Sequence, residues 1–568
     1  MFTEIGIENF KAFSKMQRMP LKPITLLYGP NSSGKSSLIQ SLLLFKQTLE
    51  ASTNDEVALL SRGSLVDLGD YSEFIHKHDD KKEFKMSFSF NFIWDPDINI
   101  CWDSCPVRKD EVMTLEFTFL KDKTGDVIVK AIRLFYLRNP EPLLVYKNVL
   151  LYPKLSRRVC DDSSKSFLFL ESINFNSEFI KTNWESLAKN YRNNEKSDAE
   201  SYQWDFSKDL NRLKSYAYDD EETDAEDIKK YKKILKHLEK IKRSFEKKSF
   251  EEFANIGMPP NDRIIKLSKC FPLGLTGWGQ HHNSCNTSSG LFDYESSFRR
   301  EAFYYTDIVP IDFIVQITNL LNQYLNKICY IGPLRDFLER SYSFSGNVGL
   351  DVGKSGKYMP DILLKRPDIV ENVNQWLNKF EIGYELKVES FKRNLFTLTL
   401  IDKKNGCEVS PTDVGFGISQ LLPIIVQGAL PAYIFPGYRI ICIEQPEIHL
   451  HPRLQAELGS FFADSINAIR PRLLNEKGLD DADINGNQFI IETHSEHLIL
   501  RLLRLIRNTT NGELEEGEKP LRPEDVAVIY AKPTENGTEL MEMRISEDGD
   551  FIDKWPDGFF TEREKELF

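Results

Sequence analysis

The 568-residue chain lacks a long hydrophobic run. Its longest, Leu421 to Phe435, is interrupted by Gln427, Pro423 and Pro431, and falls short of the roughly 18–20 apolar residues that a membrane span needs. The opening MFTEIGIENF has neither a basic nor an apolar stretch of the secretory kind, so no signal peptide and a cytoplasmic location are expected. Cysteine pairing is missing too. The eight cysteines, Cys101, Cys105, Cys160, Cys270, Cys285, Cys329, Cys407 and Cys442, are scattered without any C-x-x-C spacing. That is the pattern of free thiols in a reducing compartment. His281, His282 and Cys285 form one cluster without a second partner pair, too little for a zinc site. Positive charge is also short. At a net charge of −13 the surface at large repels phosphate backbones, so nucleic-acid binding requires a local basic patch.

What is present is an ordinary globular composition, 41% hydrophobic and 28% charged, which excludes disordered and collagen-like chains. The length exceeds a single domain of roughly 100–150 residues, so more than one lobe is expected. Residues 3 to 13 and Ile24 to Tyr28 read as strands, and Leu38, Leu42, Leu43 and Phe45 recur at helical spacing. Between about 60 and 325 the pattern is heterogeneous, with strand-like alternation at Ser87 to Ile93 and Leu115 to Leu120. Lys229 to Lys248 holds ten Lys and Arg against Glu239 and Glu246, on a helix whose apolar face runs from Ile228 to Phe245. It reads either as a phosphate-contacting patch or as a solvated face. From Ile328 apolar strands return, alternating with helices in the manner of a parallel sheet.

Gly29-Pro30-Asn31-Ser32-Ser33-Gly34-Lys35-Ser36 matches G-x-x-x-x-G-K-[ST] at every fixed position, between a strand and a helix. The glycines admit phosphates close to the backbone, and the amides at the helix start donate into the anion. Lys35 supplies charge to the β- and γ-phosphates, and Ser36 a hydroxyl to Mg2+. Ser37 follows on the same turn. Downstream, Arg439 to Glu444 is an apolar strand ending in a carboxylate suited to Mg2+, followed by Gln445-Pro446-Glu447. Phe489 to Ser495 is another, ending in Thr493-His494, where the histidine is placed to sense a γ-phosphate. Gly417, Ser419 and Gln420 open a helix that offers a further anion site.

This order of motifs resembles the ABC-type ATPases, the group of the structural-maintenance-of-chromosomes proteins, RecF and the overcoming-lysogenization-defect proteins. Ile7 to Phe13 is similar to their N-terminal strand, and Lys11 within it joins the expected nucleotide contacts. Glu444 to Pro452 resembles the E-x-P-E-x-H-L-H-P run of their bacterial AAA branch. Leu65 to Gly69 and Tyr330 to Arg335 also look like that branch, and Asp548 to Phe560 resembles the C-terminal domain of unknown function that many of its members carry.

The resemblance implies an α/β ABC-type head, with a mixed, mainly parallel sheet around the phosphate loop, split by a large helical and β insertion. It implies residues 1–75 as the first half of the head, 76–325 as an insertion containing a basic helix over 225–253, 326–510 as the second half, and 511–568 as a small C-terminal domain. It implies ATP and Mg2+ as cofactors and a homodimer or higher oligomer, with ATP sandwiched between Lys35 and Ser36 of one subunit and Gly417 to Gln420 of the other. Septu and retron antiphage ATPases, which work with an HNH nuclease, are the nearest analogues, so an effector partner and nucleic acid are expected. A self-contained nuclease or a DNA-repair ATPase is the alternative. One departure stands out: the residue after Glu444 is normally the glutamate that orients attacking water, and here it is Gln445. An amide accepts no proton, so turnover is expected to be slow unless Glu447 serves as the base.

Overall fold

In the computed structural model the residues described are 1–51, 57–91, 112–137, 139–148, 167–174, 177, 264–268, 271–275, 309–346, 349, 351–392, 394–415, 417–430, 439–467, 486–556 and 560. The basic helix expected over 225–253 and the cluster His281, His282 and Cys285 lie outside them.

Three sheets organise the chain. The first is antiparallel and has nine strands: β1 (Phe2–Glu8), β2 (Gln17–Pro20), β4 (Phe84–Asn91), β5 (Val112–Lys121), β6 (Val127–Tyr136), β7 (Leu144–Asn148), β8 (Phe167–Ile173), β9 (Ile264–Ser268) and β10 (Phe271–Leu275), in the order β10-β9-β8-β7-β6-β5-β4-β1-β2. The second has six strands: β3 (Ile24–Tyr28), β11 (Ile328–Ile331), β16 (Ile440–Glu444), β17 (Gln488–Glu492), β18 (Val526–Thr534) and β19 (Gly537–Glu542), in the order β11-β16-β17-β3-β18-β19. Its pairings are parallel except for the β18–β19 hairpin. A small antiparallel sheet joins β12 (Tyr342–Ser343), β14 (Leu395–Asp402) and β13 (Tyr384–Lys392), with β15 (Glu408–Val409) on β14.

Every residue of β3, β16 and β17 is buried. Parallel strands covered on both faces need such unbroken apolar runs. Helix α1 (Lys35–Ala51) lies between the two large sheets. Its Leu38, Ile39, Leu42, Leu43 and Phe45 join a core containing Phe88 and Phe117 of the nine-stranded sheet and Cys442 and Ile490 of the six-stranded one. Helix α2 (Val309–Asn326) packs into the same layer. The opposite face of the six-stranded sheet is covered by α3 (Met359–Lys365), α4 (Pro367–Lys379), α5 (Gly417–Ala429), α6 (Pro452–Asn467) and α7 (Glu496–Asn511). Strand β3 shows why both faces are apolar: Ile24, Leu26 and Tyr28 enter one core and Leu27 the other, since successive side chains alternate. Among the described residues no helix is long and apolar enough to cross a membrane.

The mixed, mainly parallel sheet matches expectation, and two strand pairings, one in each large sheet, run across the boundaries expected after residues 75 and 510. Strand β4 pairs antiparallel with β1, so the region after residue 75 continues a sheet begun at the N-terminus. Strand β18 pairs parallel with β3 over Val526↔Ile24 to Tyr530↔Tyr28, so the region after 510 completes the central sheet. Both result from pairing between distant segments, which composition shifts along the chain do not report.

Candidate functional site

The phosphate loop bridges β3 and α1. Gly29 (φ +143°) and Gly34 (φ +95°) occupy conformations that side chains resist. A Cβ on Gly29 would lie 2.6 Å from the Ala531 carbonyl oxygen, and one on Gly34 3.0 Å from the Ala12 Cβ. Ser33 N–H donates to the Pro30 carbonyl at 3.3 Å and Ser37 N–H to that of Gly34 at 3.0 Å, which closes the turn into the helix. The Lys35 ammonium donates to the carbonyls of Gly29 (3.0 Å) and Pro30 (2.9 Å). A cavity of ≈ 630 Å³ opens over this loop, lined by Lys11, Ala12, Asn31, Ser32, Ser33, Gly34, Lys35, Ser36, Ser37, Gln40, Gln445, Glu492 and His494. Lys11 donates to the Gln40 side chain at 2.6 Å. Burial holds the Lys11 and Lys35 ammoniums below their usual range.

The far wall comes from the ends of β16 and β17, whose last residues, Glu444 and Glu492, stand in register. Glu444 is 8% exposed. It accepts a hydrogen bond from the Tyr330 hydroxyl at 3.0 Å, while Arg335 donates to its backbone carbonyl at 2.9 Å. Burial, reinforced by Glu492, pushes the Glu444 carboxyl up to about 7. It does not line the cavity. Glu492 does, on the same wall as Ser36. Burial raises its carboxyl too, opposed by the Ser36 hydroxyl and the Lys35 charge.

Gln445 turns the chain at φ +47°, with its N–H donating to the Glu492 carbonyl at 2.7 Å and its side chain in the cavity wall. Glu447 faces another way. One oxygen accepts from the Thr493 hydroxyl and the other from the His494 N–H, both at 2.7 Å. Its carboxylate thus holds the Thr493-His494 turn. His494 reaches the cavity, and burial plus Lys35 lower its affinity for a proton, which favours the neutral imidazole.

Gly417 opens α5 against the turn after Glu447: a Cβ there would lie 3.1 Å from the His449 carbonyl oxygen. Ser419 and Gln420 are buried in their own chain at 6% and 2% exposure, and the Gln420 amide donates to the Arg335 carbonyl at 3.4 Å. None of the three lines the cavity.

Reasoning from motifs overlooked Glu492, Gln40, the Tyr330–Glu444 bond and Thr538. Only Glu492 carried a usable signal, because it ends a five-residue apolar strand as Glu444 does. Thr538, on β19, donates its hydroxyl to the Ser33 carbonyl at 2.7 Å and its N–H to that of Ala12 at 2.8 Å. The C-terminal hairpin therefore backs the phosphate loop directly.

The residues present fit Mg-ATP. The glycine-lined turn at a helix N-terminus is a cradle for phosphates that a Cβ would fill. Beside the Ser36 hydroxyl, the Glu492 Oε2 atom is buried without a hydrogen-bond partner, a donor set suited to a hard divalent cation.

Strand order and site together define a P-loop ATPase head of the ABC type. The AAA ATPase domain family matches residues 1–499, and the chain belongs to it. A family described as a protein of unknown function (DUF3696) matches residues 521–568. No curated protein gives a significant match. Similar solved structures include the Smc head domain of Pyrococcus furiosus with an extended coiled coil, bound to the C-terminal domain of ScpA (10% identity, TM-score 0.35, covering 100% of this chain and 98% of that one). The SMC head domain of Thermotoga maritima is another (9% identity, TM-score 0.33, covering 96% and 99%).

Proposed function

We propose that the protein is a slowly hydrolysing ATPase subunit, which pairs with a second copy around Mg-ATP and so controls a partner effector, a nuclease acting in antiphage defence. The observation that carries the reading is the cavity wall. Gln445 occupies the place next to the strand-end acid, and Glu447, the candidate replacement base, has both oxygens committed to Thr493 and His494. Lys35 and Lys11 are placed to neutralise phosphates and His494 to meet the terminal one as a neutral donor, and Mg2+, which Ser36 would help to hold, would supply further positive charge to the phosphate oxygens. Without a carboxylate at position 445 to take the proton of the attacking water, a step typically worth 10²–10⁴-fold in rate is weakened. ATP then persists, and an ATP-held dimer lasts long enough to gate an effector. The two-chain site is what the resemblance in motif order implies; within their own chain Gly417 to Gln420 lie outside the cavity. Nucleic acid is an expected partner, through the basic segment Lys229 to Lys248.

The test is light scattering after gel filtration, with and without Mg-ATP. The expected result is a nucleotide-dependent doubling of mass in wild type that Lys35→Ala abolishes. A mass indifferent to nucleotide refutes the dimer, and affinity purification that recovers no nuclease refutes the effector.

A further inference from the structure

Among the described residues Glu492 is the one acidic side chain in the cavity wall. We propose that it is a metal-anchoring carboxylate: with Ser36 it holds the divalent cation of the nucleotide complex. The inference rests on the reading that Mg-ATP fills this cavity, and it adds a ligand from β17 to a site so far ascribed to the end of β16.

Four observations converge on it. Glu492 ends the strand that lies between β16 and β3, so it faces the phosphate loop more directly than Glu444, one strand further away. Ser36, whose hydroxyl the loop motif assigns to the cation, lines the same cavity wall and favours the ionised Glu492 carboxylate. The Oε2 atom of Glu492 is buried with no hydrogen-bond partner. A buried carboxylate oxygen without a partner is costly unless something positive completes it. The Lys35 charge also favours the carboxylate, but its ammonium donates to the Gly29 and Pro30 carbonyls and not to Oε2. Glu444, meanwhile, accepts the Tyr330 hydroxyl. The chemistry selects a hard cation of the size of Mg2+, which takes one or two carboxylates and fills its remaining positions with phosphate oxygens and water.

The experiment measures Mg2+ dependence of mant-ADP binding at equilibrium, where no turnover occurs. Glu492→Gln is expected to raise the Mg2+ concentration for half-maximal binding about 10- to 100-fold. In EDTA its mant-ADP affinity should not fall below that of wild type, since the phosphate cradle is kept and a charge that repels the phosphates is removed. Electron paramagnetic resonance of Mn2+ should show the bound fraction falling in Glu492→Gln and partly recovering in Glu492→Asp, which keeps the charge. If thermal melting shows Glu492→Gln to be misfolded, Glu492→Asp alone decides: its Mg2+ requirement must still exceed that of wild type. An unchanged Mg2+ requirement in a folded variant overturns the proposal, including the case in which single-turnover hydrolysis collapses, which would make Glu492 the base. The readout needs neither dimer nor effector, so their failure leaves it intact. Failure of nucleotide binding itself would show in the EDTA arm.

Discussion

Replacing Gln445 by glutamate restores a carboxylate at the cavity wall and should raise hydrolysis. The full contribution of a general base, about 10²–10⁴-fold, is not expected. The new side chain joins Glu444 and Glu492, whose carboxyls are already raised by burial. Carboxylates on neighbouring strand ends, about 5–7 Å apart, repel by about 2–3 kcal/mol at an effective dielectric constant of about 20. That lifts the new carboxyl above its usual range. The base is therefore protonated at higher pH than an ordinary carboxylate, and the gain should be about 10- to 100-fold at pH 8 and shrink as the pH falls. Stability has the opposite sign. A carboxyl with a raised folded-state pKa favours folding below its unfolded value, and that contribution is lost as pH rises through the folded value. Nucleotide-free Gln445→Glu should thus melt lower than wild type at pH 8 and equally at pH 4, with Mg-ATP recovering the loss. The assay is single-turnover phosphate release by stopped-flow, which separates chemistry from product release. No gain anywhere between pH 6 and 9, with ATP affinity intact, would refute the placement of Gln445 beside the attacking water.

Three further perturbations test neighbouring parts of the site. With the Glu444 carboxyl raised to about 7, its stabilising contribution is lost as pH rises from the unfolded value through that point. Glu444→Gln, which keeps an acceptor for Tyr330, should therefore stabilise the nucleotide-free protein at pH 8 by about 1–3 kcal/mol, and not at pH 4, in denaturant titrations. Glu447→Ala strips the partners from Thr493 and the His494 N–H; each orphaned donor costs about 1–3 kcal/mol, so turnover should fall with little change in Mg2+ requirement. Normal turnover in that variant would show that the Thr493-His494 turn holds without it. Thr538→Val removes the hydroxyl that donates to the Ser33 carbonyl, a bond worth about 1 kcal/mol, and should weaken mant-ATP binding by about fivefold. Unchanged affinity would separate the C-terminal hairpin from the loop it touches.

The sequence by itself determined the local pieces of this protein. Two glycines at fixed spacing before Lys35 specify a turn whose φ values other residues resist, and they do so in any tertiary setting. Unbroken apolar runs over β3, β16 and β17 identify strands covered on both faces, and Glu444 and His494 follow because each stands at or just past the end of such a run. Tertiary structure alone decided which polar ends meet. Glu447 stands near Gln445 in sequence, yet its carboxylate turns to Thr493 and His494, just past the end of another strand. Glu492, from the far end of the chain, shares one cavity wall with Ser36. Likewise β18 pairs with β3, and Thr538 of the hairpin it begins supports the phosphate loop from the far end of the chain. Helical period, strand alternation and glycine geometry are properties of a few consecutive residues and are written locally. The register of parallel strands and the direction of a carboxylate depend on which distant segments share a sheet, and only the packed core settles that.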